Sequence, residues 1–243
     1  MSDPHILQRM LKKFERRVSL GESDCQALLK LPFQLKQLEA GKYLVREGMP
    51  IQESCLIISG FAIRHKLTQS GDRQIVSVHM PGDFVDLEGS LLKVADHNIQ
   101  TLSRCEIAAI ATSAIVALIE THPLVGRAMW IDTLIDGSIF REWVMNVGRR
   151  DARERIAHLL CEFAKRLEVA GLGSTAGYQF PMTQEQLADS TGLTPVHVNR
   201  SLKYLEGEGL IVRSKRHIEI PDWKRLRDLS GFNELYLHLD QAA

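Results

Sequence analysis

The sequence has few cysteines and no long apolar run. The spacings between Cys25, Cys55, Cys105 and Cys161 are 30, 50 and 56 residues. Metal and redox motifs need close pairs of cysteines, so we expect reduced thiols in the core. No segment reaches the roughly 18 consecutive apolar residues that span a bilayer, and the start lacks the pattern of a secretion signal. We therefore expect a soluble cytoplasmic protein with no membrane partner.

The sequence also lacks net charge, because lysine plus arginine and aspartate plus glutamate number 30 each. The distribution is uneven, however. Residues 1–148 contain 16 basic and 17 acidic side chains, whereas residues 149–230 contain 14 basic and 11 acidic ones. A local basic surface of this kind is sufficient for a small module that binds a nucleic-acid duplex.

Residues 183–206 contain two short helical patterns separated by one glycine. Thr183 and Gln186 have the spacing of a capping box at the start of the first helix. Gly192 provides the backbone freedom that a tight turn requires. Thr194 caps the second helix, and Pro195 suits its first position because no amide donor is needed there. The pattern predicts a helix-turn-helix.

The second helix has a polar outward face if Val198, Leu202 and Leu205 are buried. Arginine at the centre of such a face can pair with both acceptors of guanine in the major groove. An ordinary helical hairpin with a solvated polar face is the alternative. The residues predicted to contact DNA from the two helices are Thr183, Gln184, Thr194, Pro195, Val196, His197, Asn199, Arg200 and Lys203.

The next segment, residues 209–221, favours the DNA-binding interpretation. Two β-prone runs flank a basic tip at residues 214–216, which predicts a hairpin that forms a wing. Arg213, Lys215 and Arg216 would lie beside the recognition helix. They would contact phosphates, which adds affinity without sequence information.

Residues 31–112 have the pattern of a β domain. Gly48, Gly60, Gly71 and Gly82 follow one another at intervals of 12, 11 and 11 residues, between short β-prone runs. Regular short strands of this kind predict a compact barrel or roll. The clearest strands are residues 56–60, 75–79 and 107–111, and two amphipathic helical stretches precede the domain within residues 5–30.

From residue 113 the periodicity is helical and has two apolar stripes. One stripe can pack on the β-roll and the other on a second copy, which favours a homodimer through paired long helices. Burial of both stripes within one subunit is the alternative. The predicted domains are residues 1–112, the long helix at 113–148, and 149–243. The predicted dimer contacts are Leu124, Ala128, Ile131, Ile135, Ile139 and Trp143.

This order of parts resembles the Crp/Fnr superfamily of bacterial transcription regulators. The residues that carry the resemblance are Met80-Pro-Gly-Asp-Phe84, Met182-Thr-Gln-Glu-Gln-Leu-Ala188 and Val198-Asn-Arg-Ser-Leu202. It implies an α+β fold with an N-terminal jelly-roll-like β-roll, a long dimerisation helix and a C-terminal winged helix-turn-helix. It also implies a homodimer on inverted-repeat operators in double-stranded DNA, with RNA polymerase as a partner. Arg200 matches the family's guanine-reading arginine, and Gln184 matches a residue that contacts phosphate.

The sequence departs from the family's known effector sites. Cyclic-nucleotide-binding members have Gly-Glu-Leu and then an arginine that neutralises the phosphate. Here Asp86-Leu-Glu88 and Asp96-His-Asn98 stand in those places, with no arginine, so cyclic AMP is not expected to bind. An iron–sulfur cluster would need several cysteines near Cys25. The cofactor is therefore unknown, and the candidate effector residues are Asp86, Leu87, Glu88, Gly89, His97 and Asn98.

The β-roll is expected to be either an effector site for an unidentified ligand or a degenerate scaffold, and further alternatives involve its histidines and carboxylates. A haem-binding sensor would take an axial ligand from His65, His79, His97 or His122. A metal-binding sensor or a metal-dependent hydrolase would use the acidic patch, although its spacing fits no hydrolase motif. We therefore expect a regulator and not an enzyme. The acidic patch with its histidine is formed by Asp83, Asp86, Glu88, Asp96 and His97.

Overall fold

The computed structural model describes residues 4–239. The first and last residues of the predicted domains, 1–3 and 240–243, lie outside this range. Two helices precede the β-rich region, and helices with short hairpins follow it. The helices are α1 (Pro4–Glu15), α2 (Glu22–Leu29), α3 (Thr112–Thr121), α4 (Pro123–Arg149), α5 (Ala152–Val169), α6 (Gln184–Thr191), α7 (Pro195–Gly207) and α8 (Trp223–Ser230). The strands are β1 (Gln34–Leu38), β2 (Tyr43–Val45), β3 (Glu53–Ser59), β4 (Ala62–Leu67), β5 (Arg73–His79), β6 (Phe84–Val85), β7 (Asn98–Thr101), β8 (Cys105–Ala111), β9 (Gly173–Ser174), β10 (Gly177–Gln179), β11 (Val212–Ser214) and β12 (His217–Glu219).

The predicted β-roll is confirmed. Its strands form two four-stranded sheets, in the orders β1-β8-β3-β6 and β2-β7-β4-β5. The regularly spaced glycines lie in the turns. Gly60, between β3 and β4, has a φ of 83°, and a Cβ atom there would lie 2.2 Å from the carbonyl oxygen of Arg104. The turn therefore accepts only glycine.

The described residues form two compact units. The first contains the residues up to Lys66 together with Ser77–Gly137, and the second contains Leu67–Val76 and Ser138–Leu237. In the first unit the apolar face of α1 is buried, as its amphipathic pattern predicts. Leu7, Met10 and Phe14 belong to one core cluster with residues of the β-roll, α3 and the start of α4.

The second unit has an aromatic core beneath α5. The ring of Phe163 lies 6.5 Å from Tyr178 and 5.1 Å from Phe180, measured between centroids. The Tyr178 hydroxyl donates a hydrogen bond to the carbonyl of Leu160 at 2.7 Å. Burial of an aromatic ring contributes most when its polar end has such a partner.

The C-terminal part of α4 is linked to α5 through a fully buried carboxylate, that of Glu162. The Trp143 indole donates to it at 3.0 Å, and the Tyr236 hydroxyl donates at 2.8 Å. Arg166 pairs with its other oxygen at 3.2 Å. A buried charge is tolerated when it is paired and hydrogen-bonded in this way.

A second, partly buried ion network lies in the first unit. The Lys13 ammonium of α1 lies 3.1 Å from Asp83 of the β-roll and 2.9 Å from Asp132 of α4. Asp136 lies one turn after Asp132. Burial, and then the charge of Asp132, raise the pKa of Asp136 from 3.8 to about 7. The other charged groups that act on it are Arg64, Lys13 and Asp83.

Two predictions from the missing sequence features can be compared with the fold. Cys55, Cys105 and Cys161 are buried free thiols, as expected, whereas Cys25 is partly exposed. Within residues 4–239, every helix is too short or too polar to cross a membrane.

The raised pKa of Asp136 predicts how stability changes with pH. The folded state holds this proton more tightly than the unfolded chain, so stability falls as pH rises from about 3.8 to about 7. Asp136→Asn removes the ionisable group while keeping its shape. We expect it to raise the melting temperature at pH 8 relative to wild type, and to change it little at pH 4.

Asp228→Asn is the matched control for this prediction, because Asp228 is exposed on α8. It should change the melting temperature little at either pH. An Asp136→Asn variant that is less stable than wild type at pH 8 would show that this carboxylate is stabilised by its neighbours.

Candidate nucleic-acid interface and effector site

The first helix of the predicted helix-turn-helix is α6, and its capping box is confirmed. The Thr183 hydroxyl accepts a hydrogen bond from the amide of Gln186 at 3.2 Å, and the Gln186 side chain accepts one from the Thr183 amide at 2.8 Å. Leu187 and Ala188 are buried, as their positions predict. Two amide donors at the start of α6 are thus satisfied by side chains.

The turn between α6 and α7 depends on Gly192, whose φ is 63°. Its amide donates to the carbonyl of Ala188, which ends α6. Thr194 then caps α7 by accepting from the amide of His197 at 3.3 Å, and Pro195 is the first helical residue. Each local feature of the predicted turn is present.

Helix α7 has the expected inner and outer faces. Val198, Leu202 and Leu205 are buried. On the other side Arg200 and Lys203 are exposed, as are Thr183, Gln184, Thr194, Pro195, Val196 and His197. Asn199 is partly buried, and its amide donates to the Gln184 side chain at 3.3 Å.

The predicted wing is the antiparallel hairpin of β11 and β12, in which Ser214 faces His217. Its tip is Lys215-Arg216, and Lys215 has a left-handed backbone with a φ of 55°. Both tip side chains are exposed. Arg213 differs from the prediction because it pairs with Glu206 at 2.6 Å and lowers the pKa of that carboxylate. Its charge is therefore neutralised within the chain.

The wing tip and the start of α6 line one depression of about 200 Å³. Thr183 and Gln184 contribute from the helix, and Lys215 and Arg216 contribute from the wing. A helix N-terminus favours an anion, and two exposed cations beside it increase that preference. Arg213 and six apolar side chains, among them Phe180 and Leu202, form the rest of its lining.

Three of the predicted effector residues come together in the β-roll. Asp86, Glu88 and His97 have ligand atoms that all lie within 4.8 Å of one another. The Nε2 atom of His97 lies 3.1 Å from the Asp86 carboxylate, and its Nδ1 atom lies 2.6 Å from that of Asp96. Burial alone would lower the pKa of His97, but these two carboxylates raise it above its ordinary value.

The other predicted effector residues are occupied by packing. Leu87 belongs to the core of the first unit, and a Cβ atom on Gly89 would lie 2.3 Å from Ile51. The Asn98 side chain accepts from the amide of Glu47. The Asp96 side chain, which the sequence places where the family has its arginine, is 92% exposed.

Arg64 of β4 also belongs to this site, although no sequence motif indicated it. Its guanidinium is buried and lies 2.7 Å from the Glu88 carboxylate. Arg64 is 24 positions earlier in the chain, and only the sheet brings it to the site. Strand β4 also contains His65 and Lys66, so its sequence does not single out Arg64.

The histidines proposed as haem ligands have other surroundings. His122 lies 2.9 Å from Asp24 through Nδ1. His65 and His79 are buried in the β-roll, and the His65 ring lies 6.0 Å from Tyr43. These contacts support structural roles.

The predicted dimer contacts on α4 require a correction. Ala128, Ile135, Ile139 and Trp143 are buried within the single chain, so they have almost no surface to give to a partner. Ile131 is partly buried and Leu124 is exposed. The exposed apolar side chains at the middle and end of α4 are instead Trp130, Leu134, Val144 and Met145.

The left-handed turn at Gly192 can be tested directly. A Cβ atom there would contact Val147 at 3.0 Å, and alanine in this backbone conformation costs roughly 1–2 kcal/mol. We expect Gly192→Ala to reduce the free energy of unfolding by about that amount in urea denaturation. Gly207→Ala is the control, because Gly207 is helical with no atom within 4 Å of the added carbon. Equal stability of the two variants would contradict the assignment of the turn.

Two family patterns match the chain. One covers the β-rich region, and the other covers helices with the wing hairpin. Residues 35–122 match the Cyclic nucleotide-binding domain, and residues 154–229 match the Crp-like helix-turn-helix domain. The first range covers the β-roll with α3. The second covers most of α5 through α8, including the wing.

Curated relatives are similar to this chain in sequence, and a solved structure is similar to it in fold. The transcriptional activator protein FnrL of Cereibacter sphaeroides is 28% identical over 81% of this chain and 80% of its own length. The nitrogen fixation regulation protein FixK of Azorhizobium caulinodans is 28% identical over 72% of this chain and 71% of its own. FixK2 from Bradyrhizobium japonicum superimposes with a TM-score of 0.77 at 23% identity, covering 84% of this chain and 100% of that one.

These relatives are transcription regulators and not enzymes, which confirms the expected class and does not favour a hydrolase. The resemblance seen in the sequence motifs is confirmed over both parts of the fold. The chain belongs to the Crp/Fnr family of DNA-binding transcription regulators.

Proposed function

We propose that the protein acts as a homodimer that activates transcription from inverted-repeat DNA sites, and that a ligand in the β-roll other than a cyclic nucleotide controls it. The observation that carries the proposal is the outward face of α7 next to the wing. Arg200 and Lys203 are exposed on this helix, and Lys215 and Arg216 are exposed at the wing tip. A helix and a basic hairpin in this arrangement fit the major groove and the adjacent backbone.

Arg200 is the candidate base-reading residue. It lies at the middle of the exposed face of α7, and its guanidinium can pair with both acceptors of guanine. Val196 precedes it by one turn and can offer only an apolar contact, for example to a thymine methyl group. Gln184, Lys215 and Arg216 would contact phosphates, which orient the helix in the groove.

The dimer would form through the exposed face of α4. Trp130, Leu134, Gly137, Arg141 and Val144 follow one another at steps of 4, 3, 4 and 3 residues. This is the spacing of a seam between paired helices. Trp130 is 67% exposed and Val144 is 74% exposed, so a second copy would cover apolar surface that the single chain leaves in solvent.

The electrostatics of the β-roll disfavour a cyclic nucleotide. A buried phosphate needs charge-assisted donors, and Arg64 is already paired with Glu88. Asp86 adds a buried negative charge beside this pair. The activating role follows the printed names of the relatives, several of which are transcriptional activators. Activation implies RNA polymerase as a further partner.

The two kinds of DNA contact should respond differently to mutation. Arg200→Ala removes a base contact, so it should cost about 1–3 kcal/mol per half-site and weaken the preference for one base. Lys215→Ala removes a phosphate contact, so it should weaken binding to every sequence and reduce the salt dependence by about one charge per subunit.

Titration of both variants against a selected duplex and a scrambled duplex, at several salt concentrations, provides the measurement. If the Arg200→Ala protein kept the full base preference of wild type, another residue would read the DNA sequence.

The exposed face of α4 also predicts how one substitution should affect the dimer. Leu134 is 55% exposed, so Leu134→Glu should leave each subunit folded. In the dimer it would place two carboxylates at the seam without partners, which favours dissociation. DNA affinity should then fall by about 100-fold or more, because a monomer loses the effective concentration of its second half-site.

Sedimentation and DNA titration of the same samples check this prediction. Leu92→Glu is the matched control, because Leu92 is 61% exposed but lies outside α4. It should stay dimeric and bind DNA normally. Dissociation by both variants, or by neither, would place the dimer contact elsewhere.

A further inference from the structure

The group of Asp86, Glu88 and His97 is held in place by its surroundings. Asp86 follows β6 with a left-handed backbone, φ 65°, and its carbonyl accepts a hydrogen bond from the buried Ser54 hydroxyl at 2.8 Å. Glu88 lies two residues later, in the 3-10 turn Leu87–Ser90. His97 directly precedes β7. The three side chains therefore come from two short segments that the β-roll brings together.

The buried carboxylate of Asp86 lacks a hydrogen-bond donor within residues 4–239. The residue is 1% exposed, and neither carboxylate oxygen accepts a hydrogen bond from any described residue. Its near neighbour is His97 Nε2, which lies 3.1 Å away and pairs with it only when His97 is protonated. A buried carboxylate without a donor is costly, so the site needs a positive charge beside Asp86, either a proton on His97 or a cation bound between the two groups.

His97 is oriented as a metal-ligating histidine would be. Its Nδ1 atom lies 2.6 Å from the Asp96 carboxylate, and with a proton on Nδ1 the Nε2 atom presents a lone pair to Asp86. Ligating histidines usually donate their second nitrogen to a carboxylate in this way. The distance of 3.1 Å between Nε2 and the Asp86 oxygen also suits two ligands. Ligand atoms each about 2.1 Å from one ion lie roughly 3.0–3.4 Å apart.

The local charge supports a dication. Asp86 and Glu88 bring two carboxylates, and Arg64 is the cation paired with Glu88. Glu88 is 24% exposed in its side chain, so an ion could enter along it from solvent. One imidazole with two carboxylates is a ligand set for zinc, manganese or ferrous iron.

We propose that Asp86, Glu88 and His97 bind a divalent transition-metal ion, with Asp96 orienting His97. This inference rests on the proposed function, because it names the ligand class that the β-roll would sense. Binding would draw Glu88 from Arg64, whose charge also acts on Asp136 of α4. The metal would therefore change the charge balance beside the helix that carries the proposed dimer seam.

The test is calorimetric titration of the full chain, stripped of metal with EDTA and dialysed, with Zn²⁺ and with Mn²⁺. We expect one ion per chain and a higher melting temperature in its presence. Asp86→Asn and His97→Gln should each weaken binding at least 100-fold. Asparagine tolerates the left-handed backbone at position 86, so the first variant should fold. Asp96→Asn should weaken binding by about 10- to 100-fold.

His122→Gln is the matched control, because it breaks a histidine–aspartate pair elsewhere and should bind metal like wild type. The proposal is overturned if wild type binds neither ion. The positive charge beside Asp86 would then come from a protonated His97. It is also overturned if Asp86→Asn and His97→Gln bind as wild type does. DNA titration in EDTA separates the two proposals, since metal-free protein that binds DNA would leave the regulator assignment intact.

Discussion

Helix α4 has more apolar surface than a single chain buries. The proposed dimer depends on the part of this surface that stays exposed. Ala128, Ile135 and Ile139 are buried, and Trp143 is fixed through its hydrogen bond to Glu162. The remaining apolar side chains on this helix lie in solvent in the isolated chain. Because exposed apolar stripes are unfavourable in water, the helix is suited to join two copies.

The buried carboxylates show two different solutions to one electrostatic problem. Glu162 accepts hydrogen bonds from Trp143 and Tyr236 and pairs with Arg166, so it needs nothing further. Asp86 is equally buried but accepts no hydrogen bond from the described residues. The first arrangement stabilises a fixed helix pair, whereas the second leaves His97, 3.1 Å away, as the near partner of Asp86 and is the basis of the proposed metal site.

Features encoded by near neighbours were predictable from the sequence. Thr183, Gln186, Gly192 and Pro195 specify caps and a turn within a few residues, and the structure confirms each one. Long-range pairs were not predictable. Lys13 meets Asp83 and Asp132 across 70 and 119 positions, and periodicity alone cannot say which apolar stripe of α4 a single chain buries. The dimer contact was assigned to the buried stripe for this reason.

Selection from a random pool of duplexes, followed by sequencing of the bound fraction, tests the central claim most directly. Two copies joined through α4 would place their recognition helices about 34 Å apart, one turn of DNA. The account predicts enrichment of an inverted repeat whose half-sites are separated by about 10 base pairs, each with a conserved guanine. Enrichment of a single site without a repeat, or of none, would contradict it.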